Sequence, residues 1–140
     1  MQVMKFGGTS VANAQRIAKV VDIVAEAIER DRTIMVVSAI SGCTDTLIET
    51  GHRAALKDKS YQSLLDELQE QHHRIILDLL PLETHEPSLE TCDETFEQLR
   101  SIAQGVYLLG ELSPVSLDAI QGCGELLSTK IIATKLASVG

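Results

Sequence analysis

Gln2-Val3-Met4-Lys5-Phe6-Gly7-Gly8-Thr9-Ser10 opens the chain with a short, largely apolar run that stops at a pair of glycines. Such a run ahead of Gly-Gly reads as a β-strand broken by a turn, where two residues without side chains allow positive φ and close backbone approach. A helix is predicted to follow at once. Ile17, Val20, Val21, Val24 and Ile28 recur at the helical period on one face, and Arg16, Lys19, Asp22 and Glu26 take the other side. Thr33 to Ala39 is a continuous β-branched and apolar run, which predicts a second strand buried on both faces. Strand, helix, strand is a βαβ unit with parallel pairing and a right-handed crossover, and it makes the fold class α/β.

Beyond Ala39 the pattern is helical. Asp45 to Leu56 reads as a helix, and Ser60 to Leu80 carries Leu64, Leu65, Leu68, Ile75, Ile76 and Leu79 at helical spacing. Pro81 and Pro87 bracket a predicted loop containing Glu83, His85 and Glu86, after which Ser88 can cap a helix whose face holds Phe96, Leu99, Ile102, Ala103 and Val106 and which ends near Gly110. Ser113-Pro114 opens another helix, with Ser at the cap and Pro in the first turn; Gly122 and Gly124 are expected to interrupt it before Leu126 to Val139 resumes. Two parallel strands leave unpaired edges and more apolar surface than two flanking helices cover, so the chain reads as part of a larger sandwich.

Composition narrows the function classes. At 140 residues and 44% hydrophobic the chain suits one core. Its net charge of -8 repels phosphate backbones and anionic lipid, so neither nucleic acid nor a membrane surface is an expected partner. The start at Met1 lacks the apolar core of a signal peptide, and a cytoplasmic protein is expected. Cys43, Cys92 and Cys123 fit neither a CxxC metal site nor a disulfide framework, which leaves reduced thiols. His52, His72, His73 and His85 show no metal-ligand spacing and read as solvated surface, so no metal site is expected. The acid-rich segment from Glu83 to Glu97 reads as a solvated helix face.

Three stretches carry chemistry. In Lys5 to Val11, successive main-chain N–H groups in a glycine-rich turn, added to the positive end of a helix, make a concave anion site that Lys5 can enter as a point charge. It is neither GxxxxGK[ST] nor GxGxxG, so P-loop and Rossmann chemistry are not indicated. Ser38 to Thr44 forms a second βα turn at the carboxyl end of the second strand, where open α/β sheets bind ligands; Ser41 and Thr44 could equally be helix caps. In Gly122 to Thr129 an acid is flanked by glycines, so Glu125 could receive an ammonium group, or be an ordinary dipole partner in a helix's first turn.

Taken together, Lys5-Phe6-Gly7-Gly8-Thr9-Ser10-Val11, Val36-Val37-Ser38-Ala39 running into Gly42 and Thr44, and Gly124-Glu125-Leu126-Leu127-Ser128 resemble the aspartate kinase family of the amino-acid kinase superfold, in order and in spacing, across residues 1–140. Leu109 to Asp118 further resembles the form fused to homoserine dehydrogenase, although Val115 stands where family members often carry arginine. The resemblance implies a three-layer αβα sandwich, of which this chain is the helix-rich, substrate-binding N-terminal part. It implies ATP-dependent phosphorylation, with Mg2+, of the aspartate side-chain carboxylate, the first step of lysine, threonine and methionine biosynthesis, by an enzyme that is a homo-oligomer. By the same resemblance Lys5 contacts the transferring phosphate as the catalytic residue, and Gly7, Gly8, Thr9 and Ser10 complete the ATP-phosphate cradle. Ser38, Thr44 and Glu125 seat aspartate. The family's catalytic Asp and Arg segments, nucleotide-base pocket and regulatory ACT domains have no counterpart in these residues, so residues 1–140 alone are expected to be inactive. The alternatives are another amino-acid kinase, acting on glutamate, acetylglutamate or a nucleoside monophosphate, and a non-catalytic anion-binding module.

Overall fold

A computed structural model describes all residues from Met1 to Gly140. The first strand, β1 (Gln2–Phe6), pairs in parallel with β2 (Thr33–Val37), with Gln2 opposite Thr33 and Phe6 opposite Val37. The crossover is α1 (Ala14–Arg30). The helix does not follow the strand at once: Gly8–Val11 forms a single 3-10 turn closed by Ser10 N–H donating to Gly7 O (3.1 Å), and α1 starts only after Asn13, whose Oδ1 accepts from Arg16 N–H (2.9 Å). Asparagine is among the strongest helix caps, and it sets the boundary that spacing alone could not.

Four further helices complete the chain: α2 (Cys43–Ala55), α3 (Tyr61–Leu79), α4 (His85–Leu109) and α5 (Pro114–Ser138). They pack on one another around Leu47, Leu65, Ile76, Phe96, Leu99 and Ile120, each side chain 1% exposed or less. Burying a side chain of this size stabilises by roughly 1.5–3 kcal/mol, so this bundle rather than the two-stranded sheet holds the molecule together. Gly110 ends α4 in the left-handed region (φ 69°), and Ser113 caps α5 through its hydroxyl, which accepts from Ser116 N–H, both as expected.

Several local expectations are corrected. Both strands are half-buried on one face only: Val3, Ile34 and Val36 are exposed, because within these residues helices cover a single face of the sheet. Ile28, expected on the apolar face of α1, is exposed as well. The loop predicted between Pro81 and Pro87 is largely helical. Leu82–Thr84 form a 3-10 turn and α4 begins at His85, so Pro87 sits in its first turn, where its missing N–H costs nothing, and Ser88 is inside the helix rather than its cap. Helix α5 runs through Gly122 and Gly124 without a break.

His72 is fully buried rather than solvated. Its Nδ1 lies 2.8 Å from Leu68 O, which places the proton on Nδ1, and its ring meets Phe96 edge-on. Nε2 is left without a partner. Burial lowers the imidazole pKa from its ordinary 6.5, against the raising effect of the Leu68 bond and with help from His73. The unfolded chain therefore binds a proton that the folded chain refuses, and stability falls as pH drops below that ordinary value. We expect the urea midpoint to decline between about pH 7 and about pH 5, and His72→Leu to flatten the decline while matching or exceeding the parent at neutral pH, since it removes an unsatisfied buried nitrogen. An equally steep decline in the variant would remove His72 as the cause.

Candidate functional site

The carboxyl ends of β1 and β2 face a cleft of about 390 Å3. Gly8 and Thr9 line it from the first turn, and Ser38, Ser41, Thr44 and Asp45 from the second. The two turns touch at Gly8, where a Cβ would stand 3.4 Å from Ala39 O and 3.8 Å from Ser41 Cα. Neither Gly7 nor Gly8 adopts positive φ; the close approach is the reason for glycine at position 8. Positive φ occurs instead at Gly42 (82°), which starts α2 without any side-chain cap. The capping reading of Ser41 and Thr44 is thereby overturned.

An uncapped helix start leaves main-chain donors free. The amides of Ser41, Gly42, Thr44 and Asp45 donate to no protein acceptor, and neither does that of Gly7. Together with the positive end of the α2 dipole they form a nest of N–H groups suited to phosphate or carboxylate oxygens. The helix at the cradle is thus α2, not α1 as the sequence suggested. The 3-10 turn and Asn13 stand between the glycines and α1.

Of the residues expected at the site, Gly8, Thr9, Ser38 and Thr44 meet in this cleft, whereas Lys5, Gly7, Ser10 and Glu125 do not line it. Lys5 projects from the bare face of the sheet, exposed and with no hydrogen bond or ion pair. Glu125 is exposed in the middle of α5, far from any first turn. Its helix is nevertheless tied to the cleft: the buried Ser128 hydroxyl lies 2.8 Å from Ser38 O and 3.1 Å from Glu125 O. Gly124 lets α5 approach closely, since a Cβ there would meet Leu47 Cδ1 at 3.0 Å and Cys43 Sγ at 3.1 Å. The close approach read from the glycine pair is therefore real at Gly124, whereas Gly122 meets nothing within 4 Å and has no such explanation. The sequence assigns no role to Asp45, nor to Ser128 although it closes the third motif; what signals them is position in the fold, one on the cleft and one behind it.

No nucleophilic thiol serves the site. Burial, with the neighbouring Cys123, pushes the Cys43 thiol up to about 12, and burial raises Cys123 itself. What the arrangement offers is anion binding and positioning.

A model of the amino acid kinase family matches residues 1–140. The chain belongs to the amino acid kinase family. Among its relatives, the bifunctional aspartokinase/homoserine dehydrogenase 1, chloroplastic, of Arabidopsis thaliana is 33% identical over 138 residues, covering 99% of this chain and 15% of the relative. Aspartokinase 1, chloroplastic, of the same plant is 33% identical over 141 residues, covering 99% of this chain and 24% of the relative. This amino acid kinase chain thus spans a minor part of the curated relatives it matches. The crystal structure of E. coli aspartokinase III in complex with aspartate and ADP superimposes with a TM-score of 0.84 at 26% identity, over 99% of this chain and 29% of that one. The same enzyme in complex with lysine and aspartate gives the same values. The expected αβα architecture of the amino-acid kinases is therefore borne out, with the parallel βαβ start and the helix-rich remainder both present. No helix is long and apolar enough to cross a membrane.

Proposed function

We propose that this chain is the substrate-binding N-terminal part of an ATP-dependent aspartate kinase, and that the nucleotide-base pocket and regulatory domains belong to further residues of a longer, homo-oligomeric, cytoplasmic protein. The observation that carries the reading is the nest of unbonded amides at the start of α2, facing Gly8 and Thr9 across one cleft. The likeness to an aspartokinase described with aspartate and ADP supports the choice of substrates. A carboxylate nucleophile is already an anion and needs no strong base. The aspartate β-carboxylate attacks the γ-phosphorus of ATP in line, the bond to the β-phosphate oxygen breaks, and β-aspartyl phosphate and ADP result.

The chain's own contribution is to place the two anions and to offset their charge. The Gly7 and Gly8 amides and the Lys5 ammonium serve the transferring phosphoryl oxygens, with Thr9 and Ser10 completing that turn. Ser38 and Thr44 hold the aspartate carboxylates, and Glu125 meets its ammonium group. This donor set of amides, hydroxyls and one ammonium fits phosphate oxygens well. For Mg2+ the cleft offers the Asp45 carboxylate alone, so the ion would be held chiefly by the nucleotide, whose phosphate charge it neutralises.

Coupled ADP release by the full-length protein tests the reading, with aspartate, glutamate and acetylglutamate as alternative acceptors. Aspartate is expected to be phosphorylated well above the others; preference for another acceptor moves the protein to that branch of the family, and no turnover with any favours an anion-binding module. Residues 1–140 alone are expected to release no ADP. In the same assay Glu125→Gln is expected to raise the KM for aspartate about tenfold or more, through loss of a charged hydrogen bond, and to leave the KM for ATP unchanged. Both constants rising together would make Glu125 a structural residue of α5.

A further inference from the structure

The helical hairpin of α3 and α4 brings together donors that lie far apart in sequence. His73 on α3 reaches Asp93 on α4, with Nε2 2.5 Å from Oδ1, and Gln69 Nε2 donates to the same oxygen at 2.7 Å. The buried thiol of Cys92, next to Asp93 in sequence, is near: one nitrogen, one sulfur and one oxygen all lie within 4.8 Å of one another. None of these residues takes part in the cleft at the strand ends. We propose that this cluster is a zinc site, in which His73 Nε2, Cys92 Sγ and an Asp93 carboxylate oxygen bind one Zn2+ and clamp α3 to α4.

The donor set selects the ion. Imidazole, thiolate and a single carboxylate suit a borderline-soft divalent cation that accepts four-coordinate geometry, and they suit Mg2+ or Ca2+ poorly. Donor atoms around such an ion stand roughly 3–4 Å apart, given bond lengths of about 2.0–2.3 Å. The His73–Asp93 contact has to open slightly and the thiol to close in, which side-chain rotations on two neighbouring helices supply. Gln69 is placed to hold the carboxylate from outside, the role that second-layer hydrogen bonds play in established metal sites. An approach exists as well: Asp93 also lines a surface hollow with Glu86, Glu90, Glu94 and Glu97, whose negative potential draws cations toward it.

Without metal the same groups form an ordinary contact. Burial works to raise the Asp93 carboxyl, but the Gln69 and His73 hydrogen bonds and the charges of His73 and Arg100 outweigh it and hold the group below its usual range. Burial, with Asp93 beside it, keeps the Cys92 thiol protonated. Metal uptake releases the Cys92 thiol proton, and an imidazole bound to the ion through Nε2 carries its proton on Nδ1.

Titration of the purified protein with Co2+ alone, followed by displacement with Zn2+, tests the site. We expect a thiolate-to-cobalt charge-transfer band in the near ultraviolet, intense visible bands of a tetrahedral ion, and their loss on adding Zn2+. Cys92→Ser should abolish the charge-transfer band and Cys43→Ser should keep it. His73→Gln and Asp93→Asn, both at partly exposed positions that the fold tolerates, should each weaken Zn2+ binding about 10- to 100-fold or more. Zn2+ should raise Tm in the parent and not in His73→Gln, with Mg2+ and Ca2+ inert. A cobalt spectrum without the thiolate band, or Zn2+ affinity unchanged in both His73→Gln and Asp93→Asn, overturns the proposal even if Cys92→Ser fails to fold.

Discussion

Lys5→Ala in the full-length protein is expected to lower kcat for aspartate phosphorylation about 10²- to 10³-fold, the effect of removing one preorganised donor from the charge that develops in the transition state. The expectation rests on the proposed kinase activity and on the phosphate-binding role proposed for Lys5. Lys5 is exposed on the bare face of the sheet, outside the cleft, and is engaged by no acid of this chain, so its ammonium is free for a phosphate brought to that face and its loss leaves the fold intact. The urea midpoint of the variant should therefore match the parent while kcat collapses. The KM for aspartate should change far less, because the seat proposed for that substrate lies in the second turn, around Ser38 and Thr44. If kcat stays above about half its original value, Lys5 has no part in the chemistry and the phosphate is held without it.

A second large effect is predicted at Gly124. A Cβ there already crowds Leu47 Cδ1 (3.0 Å), Cys43 Sγ (3.1 Å) and Ala39 Cβ (3.4 Å). For alanine the gain in helix propensity, about 1 kcal/mol, works against that crowding and leaves a small net change. Valine adds two methyl groups to a space that has none, and overpacking of this kind costs about 1–3 kcal/mol. Urea unfolding of Gly124→Val should show that loss. Because Ala39 and Cys43 bracket the turn that lines the cleft, pushing α5 away also displaces Ser38 and Thr44, and the KM for aspartate should rise in step with the loss of stability. A valine variant as stable as the parent would mean that α5 does not press on α2 as closely as described.

Much of the architecture follows from local pattern. The parallel βαβ start is written in the apolar runs at Gln2 to Phe6 and Thr33 to Val37 and in the helical spacing of Ile17, Val20, Val21 and Val24, because backbone geometry turns those periods into faces. Gly110 and Ser113 announce their helix ends by conformational preference alone. Boundaries set by competition were less legible. Asn13 outcompetes the glycine turn as the start of α1, and Pro87 is absorbed into a first turn that tolerates it. The candidate site divides in the same way. The two glycine- and hydroxyl-rich turns could be picked out because their composition is local, whereas Ser38 and Thr44 as individual site residues came from the family resemblance. That the amides at the start of α2 are uncapped depends on the φ of Gly42, and that Gly124 touches Cys43 depends on how two helices cross.

Burial of a polar group leaves no mark in its immediate neighbours, which is why His72, in the same polar run as the half-exposed His73, reads as surface. The amino-acid sequence by itself determined the order of elements, the apolar faces and the two glycine-rich turns, since each depends on residues within a helical turn or a strand repeat of one another. Only the tertiary structure decided which amides stay free, which histidine is dry, and that His73 meets Cys92 and Asp93, because each of those facts comes from packing segments that the chain holds far apart.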